Sequence, residues 1–157
     1  MADNNHNLTL RRMLDAPLEK VWQAWADPEQ AQKWWGPAGV TNPTFEWDFS
    51  TGGKINVVML AGKELGPMAG QEWPMAGQFK EVTPQQIIVF ESSPIMDGQP
   101  IMVTLTTVSF EARGGKTELT IDIRVSNVTP EAAGALAGME QGWNQQTDKL
   151  AAFLKEQ

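Results

Sequence analysis

TPEAAGALAGMEQGWNQQTDKLAAFL, residues 129–154, is the stretch that decides the fold. At 100° per residue, Ala132, Ala135, Leu136, Met139, Trp143, Leu150 and Leu154 fall on one face, with Gln141, Gln145, Asp148 and Lys149 on the other. Thr129 offers a capping hydroxyl, Pro130 suits the first helical position, and Glu131 complements the helix dipole. The pattern predicts one helix of about 25 residues, or about 38 Å, longer than most globular helices. A helix of that length has to lie across something broad, and the strand-rich middle of the chain is the candidate. Its two halves differ. The second carries large groups (Trp143, Leu150, Phe153, Leu154), whereas the first is nearly all Ala and Gly. Gly134, Gly138 and Gly142 each cost about 1 kcal/mol against Ala, so the first half should bend easily. Small inner residues should also leave volume unfilled, which reads as the wall of a cavity.

Working outward, residues 7–14 read as a strand with Leu8 and Leu10 on one face. Ala16-Pro17 opens a short helix striped by Leu18, Val21, Trp22 and Trp25. A second helix restarts at Asp27 as cap, with Pro28 first and Gln30 placed to close a capping box, and stops at Gly36-Pro37. From Thr44 the period changes to two: Phe45, Trp47 and Phe49 alternate with Glu46 and Asp48, and Thr51-Gly52-Gly53 turns into 54–60. Residues 61–77 read as a connection rich in Gly, Pro and Met, in which PMAGQ occurs at 67–71 and again at 74–78. It reads either as slippage in a tolerant loop or as a flexible lid carrying Met68, Trp73 and Met75. Strands follow at 78–82, 86–91, 101–111 and 117–125, the last with Leu119, Ile121, Ile123 and Val125 facing in. Seven strands with helices clustered at the two ends predict an α+β fold, an antiparallel sheet covered on one side by helices. A twisted sheet of that width curls, and a long helix across its concave face encloses space.

The bulk numbers narrow the function. The 157 residues suit a single domain behind a polar leader at 1–6, with 41% hydrophobic and 20% charged residues, as in globular proteins. No apolar run approaches the roughly 20 residues that cross a bilayer, and the N-terminus has no signal-peptide core, so a cytoplasmic protein without membrane insertion is expected. A net charge of −7 argues against nucleic acid and anionic membrane surfaces. The chain has no cysteine and no tyrosine, and its one histidine is His6 in the leader. A thiolate nucleophile, a His-based triad and a metal site are therefore not expected, nor is a cofactor.

Three stretches resemble a known family: MLDAPLEKVWQAWADPEQAQKWWGP at 13–37, FSTGGKI at 49–55 and GMEQGWNQQTDKLAAFL at 138–154. The patterns AP-x-x-x-VW-x-AW, DP-x-x-x-x-x-WWGP and GM-x-x-GW-x-x-x-x-DKLA resemble the activator of heat shock protein 90 ATPase homologues. That family lies in the START-like, helix-grip (SRPBCC) superfamily. The resemblance implies a curved antiparallel sheet gripping the C-terminal helix, with a deep hydrophobic cavity between them. Superfamily members bind lipids, sterols or polyketides, and a minority catalyse cyclisation or related steps. The name-giving chaperone activator has a separate N-terminal domain for which this chain has no room. Activation of a chaperone ATPase is therefore only weakly implied.

The leading expectation is that a small hydrophobic or aromatic molecule binds between the terminal helix and the sheet. Trp35, Trp47, Met59, Trp73, Met75, Phe90, Met102, Met139, Trp143 and Gln146 are the candidate ligand-binding residues. For Trp143 and the methionines, plain core packing is the competing reading. Trp34 and Trp35 are about 100° apart on a helix, so only one of them is expected to face the interior. Asn56, Thr104, Thr106 and Gln146 are the polar candidates; Gln146 could orient a ligand carbonyl or hydroxyl, or bond to a strand backbone. Glu46 and Asp48 should be solvated; only a reversed register would put them inside as an acid–base pair. No catalytic constellation is recognisable, and a cyclase-, aromatase- or hydrolase-like enzyme is the alternative, with a chaperone-related interaction module as a third. Unpaired sheet edges would allow a homodimer.

Overall fold

A computed structural model describes residues 7–156. The polar leader with His6 lies outside the described residues. The strands are β1 (Leu8–Leu14), β2 (Val40–Trp47), β3 (Lys54–Ala61), β4 (Glu72–Thr83), β5 (Ile87–Met96), β6 (Gln99–Pro100), β7 (Val103–Arg113) and β8 (Lys116–Ser126). The helices are α1 (Leu18–Ala26), α2 (Pro28–Trp34), α3 (Ala133–Ala137) and α4 (Met139–Lys155). Apart from β6, a two-residue ribbon on β5, the strands form one antiparallel sheet in the order β1-β8-β7-β5-β4-β3-β2. The sheet is not closed, and helices cover one face. This is the expected α+β, helix-grip architecture.

Residue parity sets which face is buried. On β8, Thr117, Leu119, Ile121, Ile123 and Val125 are buried while their neighbours are more open. The same buried face continues across the sheet through Val108, Ile88, Phe90, Phe79, Ile55 and Trp47. α1 and α2 follow the local chemistry closely. Asp27 Oδ1 accepts from the Glu29 amide at 3.0 Å, and Pro28 occupies the first turn. Gln30 reaches the Asp27 carboxylate at 3.3 Å instead of its amide, because that amide already donates to the Gln23 carbonyl.

Four expectations need correction. The terminal helix is not continuous: a short 3₁₀ turn (Pro130–Ala132) precedes α3, and Gly138 (φ −96°, ψ 1°) separates α3 from α4. Thr129 precedes the 3₁₀ turn but its hydroxyl caps no helix amide; its amide and hydroxyl both donate to the Ile101 carbonyl, at 2.9 and 2.8 Å, tying the start of this segment to the sheet. The 61–77 connection is not a lid carrying Trp73 and Met75, since β4 starts at Glu72 and pairs Trp73 with Met59 and Met75 with Val57. Pro74 is tolerated there because β5 joins β4 only from Met75 onward, leaving one side of the strand unpaired at the residue that lacks an N–H. Lastly, Trp34 and Trp35 are both buried, at 1% and 3% exposure. α2 ends at Trp34, and Trp35 turns to extended backbone (φ −68°, ψ 143°), which frees its ring from the helical 100° offset.

Candidate functional site

The region between α4 and the sheet is built on Trp35. Its ring centroid lies 5.0 Å from Trp47, 5.8 Å from Trp143 and 6.1 Å from Phe90. Four of the sequence candidates thus form one tilted and edge-to-face aromatic cluster, a favoured ring geometry. Trp47 is fixed further by its indole N–H, which donates to the Trp25 carbonyl at 2.7 Å. The centre of the interior is therefore filled by the protein's own rings.

Met59 packs beside Gly36, the residue that follows Trp35. Gly36 has φ +91°, and a Cβ built on it would stand 3.0 Å from Met59 Sδ and 2.5 Å from Val40 Cγ2. The loop after WW thus demands glycine twice over, by backbone angle and by space. The Gly36 amide donates to Gln146 Oε1 at 2.7 Å, so Gln146 bonds to this loop and not to a strand. Its Nε2 is buried, and among the described residues no acceptor reaches it.

The remaining candidates are more dispersed. Met75 lies opposite Val57 on the inner face and Met139 sits in the first turn of α4; both are half-buried against the core. Trp73 lies across from Met59, yet its N–H donates to Gln71 Oε1 at 3.1 Å in an exposed setting, outside the aromatic cluster. Met102 is buried in the core just before β7. Thr104 and Thr106 face inward, Thr104 bonded to Ser92 at 3.0 Å, whereas Asn56 pairs with Glu46 on the outer face.

Two side chains read as outward-facing in the sequence belong to this region. Gln145 Oε1 accepts from the Ala38 amide at 3.0 Å, and Lys149 Nζ donates to the carbonyls of Trp35, Gly36 and Pro37, each at 3.2 Å. A helical wheel measured against a sheet alone misses them, because the surface they meet is the 35–38 loop. The signal was the WWGP run itself, whose turn leaves backbone groups that need partners. Asp148 is exposed but pairs with Arg12 of β1, and Arg12 also donates to the Asn144 carbonyl at 3.1 Å. Together these contacts lock α4 to both the loop and the first strand.

Burial along the terminal segment is uneven. Leu150 and Leu154 are buried, at 0% and 6% exposure, whereas Ala135, Leu136, Met139 and Trp143 pack against the core but stay partly open. A solvent-open groove of about 420 Å³ runs beside α3, lined by Val128, Thr129, Pro130, Ala133, Leu136 and Ala137.

Glu46 and Asp48 are exposed, with Glu46 3.9 Å from Lys54 on the outer face, so the best acid–base candidates are away from the interior. Among the described residues no group of His, Asp and Glu is placed to hold a metal ion. No described helix is long and apolar enough to cross a membrane.

Comparison with known proteins agrees with this architecture. A protein of Chromobacterium violaceum superposes with a TM-score of 0.78 at 26% identity, over 96% of this chain and 97% of its own. A protein of Arthrobacter aurescens gives 0.79 at 27% identity, over 100% and 91%. The AHSA1 protein of Silicibacter pomeroyi gives 0.79 at 26%, over 95% and 97%. No curated protein matches the chain. The model of the family described as "Activator of Hsp90 ATPase homolog 1-like protein" matches residues 15–155, and the chain belongs to that family.

Proposed function

We propose that the protein binds a small hydrophobic or aromatic molecule between α4 and the inner face of the sheet, with Met59, Met75, Met139 and Trp143 as its apolar contacts. One observation carries this reading. Met59, Met75, Met139 and Trp143 pack against the core yet are only partly covered, whereas Leu150 and Leu154 further along α4 are buried. Large apolar groups held beside a core yet open to water are the usual lining of a ligand site. The unbranched methionines can move aside for a guest. Binding would be driven by apolar burial, about 25 cal/mol per Å² before the costs of association.

The outward position of Glu46 and Asp48 weighs against the cyclase-, aromatase- or hydrolase-like alternative. The test is a thermal melt and tryptophan emission titration with a broad panel of neutral apolar compounds. Some members should raise the melting temperature and quench emission, and Trp143→Ala should lose both effects. A panel that leaves the melt unchanged throughout would overturn the proposal.

A further inference from the structure

We infer that Gln146 is the polar anchor of this site, and that its ligand is a neutral aromatic or alicyclic molecule bearing an oxygen acceptor such as a ketone. The inference rests on the binding reading above. Gln146 is 5% exposed. Its orientation is fixed, because the Gly36 amide must meet an acceptor and takes Oε1 at 2.7 Å. The other end of the amide, Nε2, is thereby presented as a donor, with no protein acceptor in reach among the described residues. Buried donors are nearly always matched, so an unmatched one beside a partly open apolar wall points to an acceptor on the guest.

Among the described residues two other buried side-chain polar atoms lack partners, and neither competes. Trp25 Nε1 belongs to a side chain with 0% exposure, edge-on to Trp34, Trp35 and Phe110. Asn42 Oδ1 belongs to an amide already committed as a brace, its Nδ2 donating to the carbonyls of Gln32 and Trp35 at 2.9 and 3.0 Å. Gln146 differs from both in its place on the helix: three and seven residues earlier on α4 come Trp143 and Met139, both half-buried. A guest lying along those two would bring its end to Nε2.

Charge selects the class further. Lys149, the cation nearest in sequence, is directed at the carbonyls of Trp35, Gly36 and Pro37. A buried carboxylate would find no free cation there, and the chain's net charge of −7 adds repulsion. A neutral carbonyl, phenol or ether oxygen fits the single donor.

The test compares tetralin with 1-tetralone, which share a carbon frame and differ by one carbonyl oxygen. Calorimetric titration of the full chain should give 1-tetralone about 3- to 10-fold tighter binding, the range of one net hydrogen bond. The infrared carbonyl stretch of ¹³C-labelled 1-tetralone should shift to lower frequency on binding. Gln146→Glu keeps an oxygen for the Gly36 amide but removes the donor; it should abolish the ketone preference and the infrared shift. Equal binding of the two compounds to the natural chain, or an unshifted stretch, would overturn the inference while leaving the binding reading standing. Failure of both compounds to bind would overturn the inference, and the broad panel then decides the binding reading. The natural-sequence comparison and the infrared shift decide the matter even if the variant does not fold.

Discussion

Lys149 Nζ donates to the Trp35 carbonyl at 3.2 Å, and to the carbonyls of Gly36 and Pro37 at the same distance. One side chain of α4 thus satisfies three successive acceptors in the turn that releases Trp35 into the core. The contact couples a surface-looking position on the helix to the packing of the aromatic centre.

Lys149→Met should lower stability by about 1–2 kcal/mol, since it leaves loop carbonyls without a donor in a half-buried setting. For a chain of this length that is about 3–6 °C in the melting temperature. A pH dependence follows as well. Burial pushes the Lys149 pKa below its ordinary 10.5. The folded chain then gives up this proton at lower pH than the unfolded chain. Between the folded value and 10.5 the unfolded state holds more protons, so stability rises with pH across that window. Denaturant melts of the natural chain and the Lys149→Met variant should diverge as pH climbs towards 10.5, the natural chain gaining. A constant gap would show that the amine is as well solvated folded as unfolded.

Gly36 and Gly52 offer a matched pair of substitutions. Both have positive φ, +91° and +85°, but Gly36 is crowded by Val40 and Met59 while nothing lies within 4 Å of a Cβ on Gly52. Gly52→Ala should therefore cost about 1 kcal/mol, from backbone strain alone. Gly36→Ala adds overpacking to that strain and should cost about 2–4 kcal/mol. Equal losses in chemical denaturation would mean that Val40 and Met59 yield freely.

Trp35→Ala removes the ring that touches Trp47, Phe90 and Trp143, and should destabilise by about 3–5 kcal/mol. The space it leaves is lined by aromatic groups and should stay dry. Added indole should then restore part of the lost melting temperature in the variant and have a smaller effect on the natural chain. No rescue at millimolar indole would show that the site collapses around the missing ring.

How far the sequence carries the fold depends on whether the information is local. Asp27 followed by Pro28 is a complete local instruction, and the cap forms as read apart from the Gln30 detail. The alternation of 117–125 is equally self-contained, because a sheet with one buried face needs only parity. The duplicated PMAGQ shows the limit. The first copy lies in 3₁₀ and turn geometry from Pro67, the second in β4 from Pro74, and only strand pairing with β3 and β5 separates them. The site was legible in part for the same reason. Trp47, Phe90 and Trp143 could be placed by period, but Trp35 owes its position to where α2 stops, and Lys149 owes its role to a loop more than 100 residues away.

Gly138 tests whether the break in the terminal helix is made by the glycine or imposed from outside. The backbone bonds from Gly138 to Gly134 (3.2 Å) and from Gly142 to Gly138 (2.8 Å) persist on either side, so the segment is bent more than severed. Its direction is set elsewhere: Thr129 is tied to Ile101 upstream, and Gln145, Gln146 and Lys149 are tied to the WWGP loop downstream. At φ −96° and ψ 1° the position is open to any residue, and a Cβ would meet only the Gly134 carbonyl, at an ordinary 3.7 Å. Gly138→Ala should therefore stabilise the chain by about 0.5–1 kcal/mol through helix propensity and a less flexible unfolded state. Because the ends are held by tertiary bonds, helicity by circular dichroism should hardly change. A loss of stability, or a clear gain in helicity, would show that the glycine itself makes the bend.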